Sequence, residues 1–376
     1  MKLRIKNLLP YKAPENILII SLRQIGDLLI ISPLITKTHE TWPKAKIDIL
    51  GFDHALDILN GHPYIHEKIK TTHRPNLKQY WWLLKRLFRR YDLALITQPN
   101  DRSHLFGLVA AKYRFGIVPQ EKNQRWWKKL MCRHVVNIDY MNQHVVIEKL
   151  MLIPNILYQH NYCIRIQPPI DEDLPKDIER LVNQNKKPII VIHAAPLRAY
   201  KRILTSTWHE VIRTLAEKNL IFLTGSSAIN DKQLNQEIIS GINPPLLKNI
   251  HDVSGQLNFS QTAFLLHQAS LYIGVDTSMS HLAAACDTRS IVLFGPTPPT
   301  NFGPWPNGFM LSQPYTLQAR KQTKGQVTIL QGPGDCVPCR MAGCNNDSDS
   351  VSNCLYQITV QEILNEALEI LPNRPC

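Results

Sequence analysis

Short, almost uninterrupted apolar runs alternate along this chain with longer stretches whose apolar residues return every three or four positions. The first run, Ile17 to Ser21, leads into a polar loop, Arg23-Gln24-Ile25-Gly26-Asp27, and then into a helical pattern that continues to about Thr41. Lys46 to Leu50 and Asp92 to Thr97 read as further strands, with helical segments between them. Apolar strands separated by helices predict a parallel sheet covered on both faces. The stretch Ile166 to Pro175, IQPPIDEDLP, is proline-rich, acidic and aperiodic, and reads as an interdomain linker. It predicts an N-terminal domain over residues 1–170 and a C-terminal domain over 171–376.

The second half repeats the layout without repeating the sequence. Strands are expected at Pro188–His193, Leu220–Thr224, Leu271–Val275 and Ile291–Phe294, each ending in a small or polar loop: AAPLRAYKR, GSSAIND, DTSMSH and GPTPP. Ligands of open parallel sheets sit at the carboxyl ends of strands, so these loops read as the walls of one site. The most telling is Asp276-Thr277-Ser278, where a buried strand turns straight into a helix. Free N–H groups and the helix dipole make such a turn ready to hold a phosphate. Near the C-terminus Thr359 and Glu362 form a capping box. The helix over 359–371 that follows has an apolar stripe of Val360, Ile363, Leu364, Ala367, Leu368 and Leu371.

At 376 residues and 44% hydrophobic content the chain can build two cores and is not a disordered polymer. No apolar run approaches the length of a bilayer span. The N-terminal MKLRIKNLLPYKAPEN lacks the apolar centre of a secretory signal, so the expected location is the cytoplasm. The net charge of +13 and pI near 9.3 call for an anionic partner. Basic residues cluster at Lys78–Arg90 and Arg125–His134, interleaved with tryptophans. On a helix, Trp81, Leu84, Phe88 and Tyr91 share a face, with Lys85, Arg86, Arg89 and Arg90 over the rest. This pattern suits either a membrane surface or a core helix with a solvated basic side. No nucleic-acid-binding module is visible, and nucleic acid is not an expected partner. There is no G-x-G-x-x-G after a strand and no P-loop, which speaks against a nicotinamide dehydrogenase and a P-loop kinase.

Four of the eight cysteines cluster as Cys336, Cys339, Cys344 and Cys354, in a loop rich in Gly, Asn, Asp and Ser. The C-x2-C-x4-C-x9-C spacing offers four thiolates for a structural zinc. Reduced thiols in a packed loop, or disulfides formed after purification, are the alternatives. Asp27 reads as a general base that takes a proton from an attacking hydroxyl, or as a helix cap. Lys201 and Arg202 suit a diphosphate leaving group, or form a solvated basic loop. Asp276 suits a sugar or a cap, Thr277 and Ser278 suit phosphate, and His281 reads as a donor to the ligand or a structural histidine.

Taken together, ILIISLRQIGDLLIISPLI, AYKR and GVDTSMSHLAAACDTRSIVLFGPT resemble glycosyltransferase family 9, the ADP-heptose:lipopolysaccharide heptosyltransferases, over residues 16 to 371. WPKAKIDIL and the cysteine-rich tail ending SNCL look closest to its heptosyltransferase III branch. The resemblance implies a GT-B fold of class α/β, two Rossmann-like domains facing each other across a cleft. The acceptor belongs to the N-terminal domain and the nucleotide sugar to the C-terminal one, and the 359–371 helix packs back on the N-terminal domain. It implies inverting transfer of heptose from ADP-heptose to the lipopolysaccharide inner core, or Kdo2-lipid A, at the inner leaflet, with no cofactor required for catalysis and the enzyme peripherally held at the inner membrane.

By the same resemblance Asp27 matches the general base, beside acceptor-binding Arg23, Gln24 and Gly26. Lys201 matches the lysine on the diphosphate, with Arg202 next to it. Thr277, Ser278 and Ser280 match the phosphate cradle, and Asp276 and His281 the sugar end. Leu257 falls where an apolar side chain packs on adenine, and Asp231 near the ribose-binding acid. Ser278 stands where the family usually has Gly. HAAPLRAYKRI lacks the usual hydroxyl or Pro-Gly start and has Ile203 in place of a tryptophan. These departures border the donor and leave two alternatives: the same fold with another nucleotide sugar, such as a hexose donor, or a non-catalytic sugar-nucleotide binder.

Overall fold

A computed structural model of the chain describes residues 13–139, 141–158, 161–347 and 349–371. The N-terminal segment read above for targeting, up to residue 12, and Cys376 lie outside the described residues. The chain divides into two compact units, Met1–Pro169 with Gly308–Gln313, and Ile170–Asn307 with Pro314–Cys376. The main division falls inside the proline-rich acidic stretch. The short return of 308–313 to the first unit carries no signal in the sequence pattern.

The first unit is built on a parallel sheet of β1 (Asn16–Ser21), β2 (Lys46–Phe52), β3 (Glu67–Thr71), β4 (Tyr91–Ile96), β5 (Ala111–Val118) and β6 (His134–Asn137). The order is β3-β2-β1-β4-β5-β6. Central β1 is apolar from Ile17 to Ile20 and buried from Ile17 to Ser21. β3, β5 and β6 lie toward the edges and mix polar with apolar positions, so their runs are too broken to stand out in the sequence. β7 (Cys163–Ile164) pairs antiparallel with Phe309–Met310, which is how the late segment joins this unit.

One helical expectation changes in this unit, and one open alternative is decided. The single helix after β1 is two, Ile25–Leu29 and Ser32–Thr41. Pro33 has no N–H to continue the first helix and sits instead in the opening turn of the second. The Leu77–Leu87 helix, closed at its start by an Asn76–Gln79 capping box, buries Leu83 and Leu87. Trp81 and Phe88 point to solvent, and Tyr91 belongs to β4. The tryptophan face is therefore the outer face, which agrees with the surface alternative and not with the core one.

The second unit contains β8 (Ile189–His193), β9 (Leu220–Leu223), β10 (Ile250–Asp252), β11 (Leu271–Val275), β12 (Ser290–Phe294), β14 (Lys321–Lys324) and β15 (Val327–Gln331), β13 being the Phe309–Met310 segment. Their order is β10-β9-β8-β11-β12-β15-β14, parallel except for β14. Trp208, Val211 and Ile212 from the Thr205–Leu215 helix pack under the sheet with Ile190, Ile192 and Ile273. The capping box of Thr359 and Glu362 forms as expected. The Val360–Ile370 helix it starts packs on the Thr205–Leu215 helix of the second unit. Ile363, Ala367 and Leu371 face that core, whereas Leu368 lies on the opposite side of the stripe and stays exposed. The acidic linker residues are fastened here too, His267 to Asp171 at 2.9 Å and Asn258 to Glu172 at 2.8 Å.

Candidate functional site

Both sheets reverse their strand order beside a central strand, β1 next to β4 in the first and β8 next to β11 in the second. Such switch points splay the loops at the carboxyl edge and open a crevice there. In the first unit the loop leaving β1 carries Arg23, Gln24, Gly26 and Asp27. Gln98, just past β4, holds that loop in place. Its Oε1 accepts from Leu22 N–H at 3.0 Å, and its amide nitrogen reaches Ser21 Oγ at 3.3 Å. Gln24 occupies the cap position of the Ile25–Leu29 helix without a side-chain cap bond, and Asp27 sits in the first turn, half-exposed. The cap reading of Asp27 is thus set aside, because the backbone turns into the helix three residues earlier.

Three residues that sequence reasoning passed over gather around this loop. His54, after β2, lies 3.3 Å from Gln24 Oε1. Its ring is 5.6 Å from that of His73, after β3, and Phe52 stacks against His73 at 3.8 Å. Arg102, after β4, donates to the carbonyls of Thr72 and His73, both at 2.9 Å. With exposed Arg23 and Arg74 these groups make the carboxyl edge rich in potential cations. Their common signal is position, since each follows a strand by a few residues; two of those strands, β3 and the full length of β2, were not read correctly.

In the second unit the two switch-point loops meet. Lys201 ends a short turn, Ala199–Lys201, and its Nζ lies 2.7 Å from Oδ2 of Asp276 at the end of β11. Asp276 is buried and Lys201 half-buried. Thr277 caps the Ser278–Ala285 helix with no side-chain cap bond, so its first-turn amides face outward along the axis. Thr277, Ser278 and His281 are half-exposed around that end, and Arg202 is half-buried beside Lys201. Ser280 differs from expectation. It is fully buried, and its hydroxyl donates to Val275 O at 2.6 Å and contacts Tyr272 at 3.1 Å, so it braces the turn from beneath instead of lining it.

The neighbouring loops are set by short-range chemistry. Asp231 Oδ2 accepts from both the N–H and the hydroxyl of Ser226, at 2.8 and 2.6 Å, which closes the turn after β9. Gly255 has φ of +71°, and a Cβ there would lie 2.7 Å from the Ser227 backbone, so glycine lets the loops after β9 and β10 touch. Leu257 follows, half-buried, just before Asn258 caps the next helix. His193, at the end of β8, meets Thr224 Oγ1 at 3.0 Å; burial lowers its pKa to about 4, so it is neutral at pH 7.

The cysteine loop packs behind the Lys201 turn. Ser352 donates to Tyr200 O at 2.7 Å, behind Lys201. Arg340 N–H donates to Pro296 O at 2.9 Å, and its guanidinium to Asn301 at 3.0 Å. Gly295 leaves no room for a Cβ because Leu355 and the Cys354 sulfur press on it. Cys336, Cys339, Cys344 and Cys354 are free thiols, and burial, reinforced by the other three thiols, pushes Cys354 up to about 11. Among the described residues no group of three or more His, Cys, Asp or Glu side chains is placed to hold a metal ion. The loop buttresses the Lys201 turn and the loop after β12. Among the described residues no helix is long and apolar enough to cross a membrane.

The profile of glycosyltransferase family 9 (heptosyltransferase) matches residues 80–328. The lipopolysaccharide heptosyltransferase 3 of Escherichia coli is 25% identical to the chain, covering 76% of it and 85% of the relative. Among solved structures, a family 9 glycosyltransferase from Veillonella parvula superposes with a TM-score of 0.74 at 13% identity, covering 95% of this chain and 97% of that one. The E. coli ADP-heptose lipopolysaccharide heptosyltransferase II superposes with a TM-score of 0.69 at 18% identity, covering 94% and 98%. These superpositions give the GT-B fold.

Proposed function

Because the chain belongs to glycosyltransferase family 9, we propose that it transfers a heptose from ADP-heptose to a sugar hydroxyl of the lipopolysaccharide inner core, with inversion at the anomeric carbon. The observation that supports this most is the pairing of Lys201 with Asp276 at the mouth of the Ser278–Ala285 helix. A cation, a hydroxyl pair and outward amides at one strand edge fit a diphosphate whose charge grows as it leaves. Lys201, Arg202 and the Thr277–Ser278 turn hold the diphosphate, and Asp276 and His281 take the sugar. Leu257 and Asp231 flank the nucleoside.

In the first unit Asp27 takes the proton of the acceptor hydroxyl as its oxygen attacks the anomeric carbon, and the bond to ADP breaks on the opposite side. The cation-rich edge of Arg23, His54, His73 and Arg102 matches an acceptor carrying carboxylates and phosphates. Charge on the leaving group is offset by Lys201 and the helix amides, which leaves no step that needs a metal. The acceptor is lipid-anchored, so the enzyme works from the cytoplasm against the inner leaflet.

A second reading keeps the fold and changes the donor. Ile203 is buried where the family has a tryptophan, and the loop begins with Ala194-Ala195-Pro196. The test is incubation with heptose-deficient lipopolysaccharide and either ADP-heptose or UDP- and GDP-hexoses, followed by mass analysis. A heptose added only from ADP-heptose is the expected result. Hexose addition would overturn the donor, and no transfer together with retained nucleotide binding would favour the non-catalytic binder.

A further inference from the structure

The first unit exposes large apolar side chains on three consecutive helices that pack side by side. The Leu77–Leu87 helix packs on Asp101–Ala110, which packs on Lys122–Met131. Tyr80 and Phe106 join the first pair, with ring centroids 5.7 Å apart, and Arg89 N–H closes the far end on Val109 O at 2.9 Å. On the first helix Leu77 (81% exposed), Trp81 (64%) and Phe88 (63%) follow helical spacing along the flank nearest the second helix. Leu105 and Leu108 are exposed on the middle helix, and Trp126 (62%) and Leu130 (79%) on the third. Apolar groups exposed together in this way mark an interaction surface, in contrast to the single exposed leucines found elsewhere.

The charge along the first and third helices is positive. Lys78, Lys85, Arg89 and Arg90 belong to the first helix and its exit, Lys129 and Arg133 to the third, and all are exposed. Residues 77–90 and 122–134 contain no acidic residue. Asp101, at the start of the middle helix, is paired with Lys128 at 2.6 Å. Tryptophan and leucine among lysine and arginine is the composition that inserts rings at headgroup level while the cations meet lipid phosphates.

We infer that this three-helix face is the surface by which the protein docks on an anionic phospholipid bilayer. Each helix follows a strand and begins at the carboxyl edge of the sheet, so the face borders the edge that carries Asp27, Arg23 and Arg102. Arg102 joins the two regions, its guanidinium 6.0 Å from the Tyr80 ring and 5.5 Å from that of Phe106. Docking there brings the acceptor edge close to the headgroups, where a lipid-anchored sugar projects. The inference rests on the proposed acceptor for its purpose, but its contact chemistry stands on the surface alone.

The test is sedimentation of the full chain with vesicles of phosphatidylcholine alone or of equal parts phosphatidylcholine and phosphatidylglycerol. The protein is expected on the anionic vesicles, released by high salt, with tryptophan emission shifted to the blue. A Trp81→Ser/Trp126→Ser/Leu130→Ser variant should lose about tenfold or more in partitioning, and Lys85→Glu/Arg89→Glu should lose the anionic preference. Both should keep ADP affinity and transfer to a water-soluble, deacylated acceptor. Absence of vesicle binding, or binding unchanged in both variants, would overturn the inference. So would a dimer of the native chain that the first variant dissociates, for the face would then be a subunit contact. Vesicle binding by an enzyme that transfers no heptose would uphold the docking face and remove only the proposed reaction.

Discussion

Lys201 Nζ and Asp276 Oδ2 lie 2.7 Å apart, joining loops separated by 75 residues in sequence. The pair sits where the second sheet reverses its strand order, and it is the firmest link between the AYKR and DTS motifs. The contact does two things: it compensates a buried carboxylate, and it holds a cation beside the open end of a helix. Replacing Lys201 with Met should cost about 2–3 kcal/mol of stability through the stranded Asp276. The same variant should weaken ADP binding about tenfold or more, because the diphosphate loses a direct partner. Chemical denaturation and calorimetric titration measure the two separately. A Lys201→Arg variant should restore stability better than it restores binding, as a fork replaces a point charge.

Gly255 permits the contact between the loops after β9 and β10. Gly255→Ala combines a positive φ with a Cβ pressed on the Ser227 backbone, and should destabilise by about 2 kcal/mol or more. Gly241 also has a positive φ, but nothing stands within 4 Å of its Cβ position, so Gly241→Ala should cost only about 1 kcal/mol. Equal losses in urea midpoint for the two would contradict the close-approach argument.

Acid should destabilise the protein well above the range of its carboxylates. His62, His104 and His193 are each lowered to about 4, with burial as the leading cause. A histidine that is neutral when folded binds fewer protons there than when unfolded, where it titrates near 6.5. Its contribution is therefore complete above about pH 7 and is lost as pH falls from 6.5 towards 4. At pH 5 each should cost about 2 kcal/mol, an order-of-magnitude figure. Denaturation at pH 7.5 and pH 5 checks this, and a flat profile between them would contradict the neutral, buried state.

The cysteine loop should act on donor binding through hydrogen bonds and not through metal. Ser352→Ala removes the brace on Tyr200 O, and Arg340→Ala the one on Asn301. Each should weaken ADP binding by about threefold to tenfold, in line with one to two lost hydrogen bonds. Exhaustive chelation should change neither melting temperature nor ADP affinity. Stoichiometric zinc in protein purified without chelator, with unfolding on its removal, would restore the four-thiolate site.

How far the sequence was legible follows from which elements have a single dominant signal. β1, β8, β11 and β12 are interior strands with apolar centres and polar residues only at their ends, and they stand out within a residue or two of those ends. Edge strands β3, β6 and β10 are short or half-polar, and nothing local marks them. The DTS turn, the AYKR loop and Asp27 were legible because special chemistry sits at a strand end. Ser280 looked like Thr277 and Ser278, yet two residues further along the helix its hydroxyl turns back under the turn. Spacing could not place the cysteines, because a loop without periodicity carries no register. The tryptophan pattern was legible as a helical face with two possible directions, and the burial of Leu83 and Leu87 on the other side turns Trp81 and Phe88 outward.

In the proposed reaction Asp27 supplies the base for transfer while the Lys201–Asp276 loops hold the donor. The most direct measurement compares Asp27→Asn with the native enzyme, recording ADP affinity by calorimetry and heptose transfer from ADP-heptose in the same preparation. The expected result is unchanged ADP affinity and a rate lowered by about a hundredfold or more, the usual size of a lost general base. Turnover close to native in Asp27→Asn would contradict it.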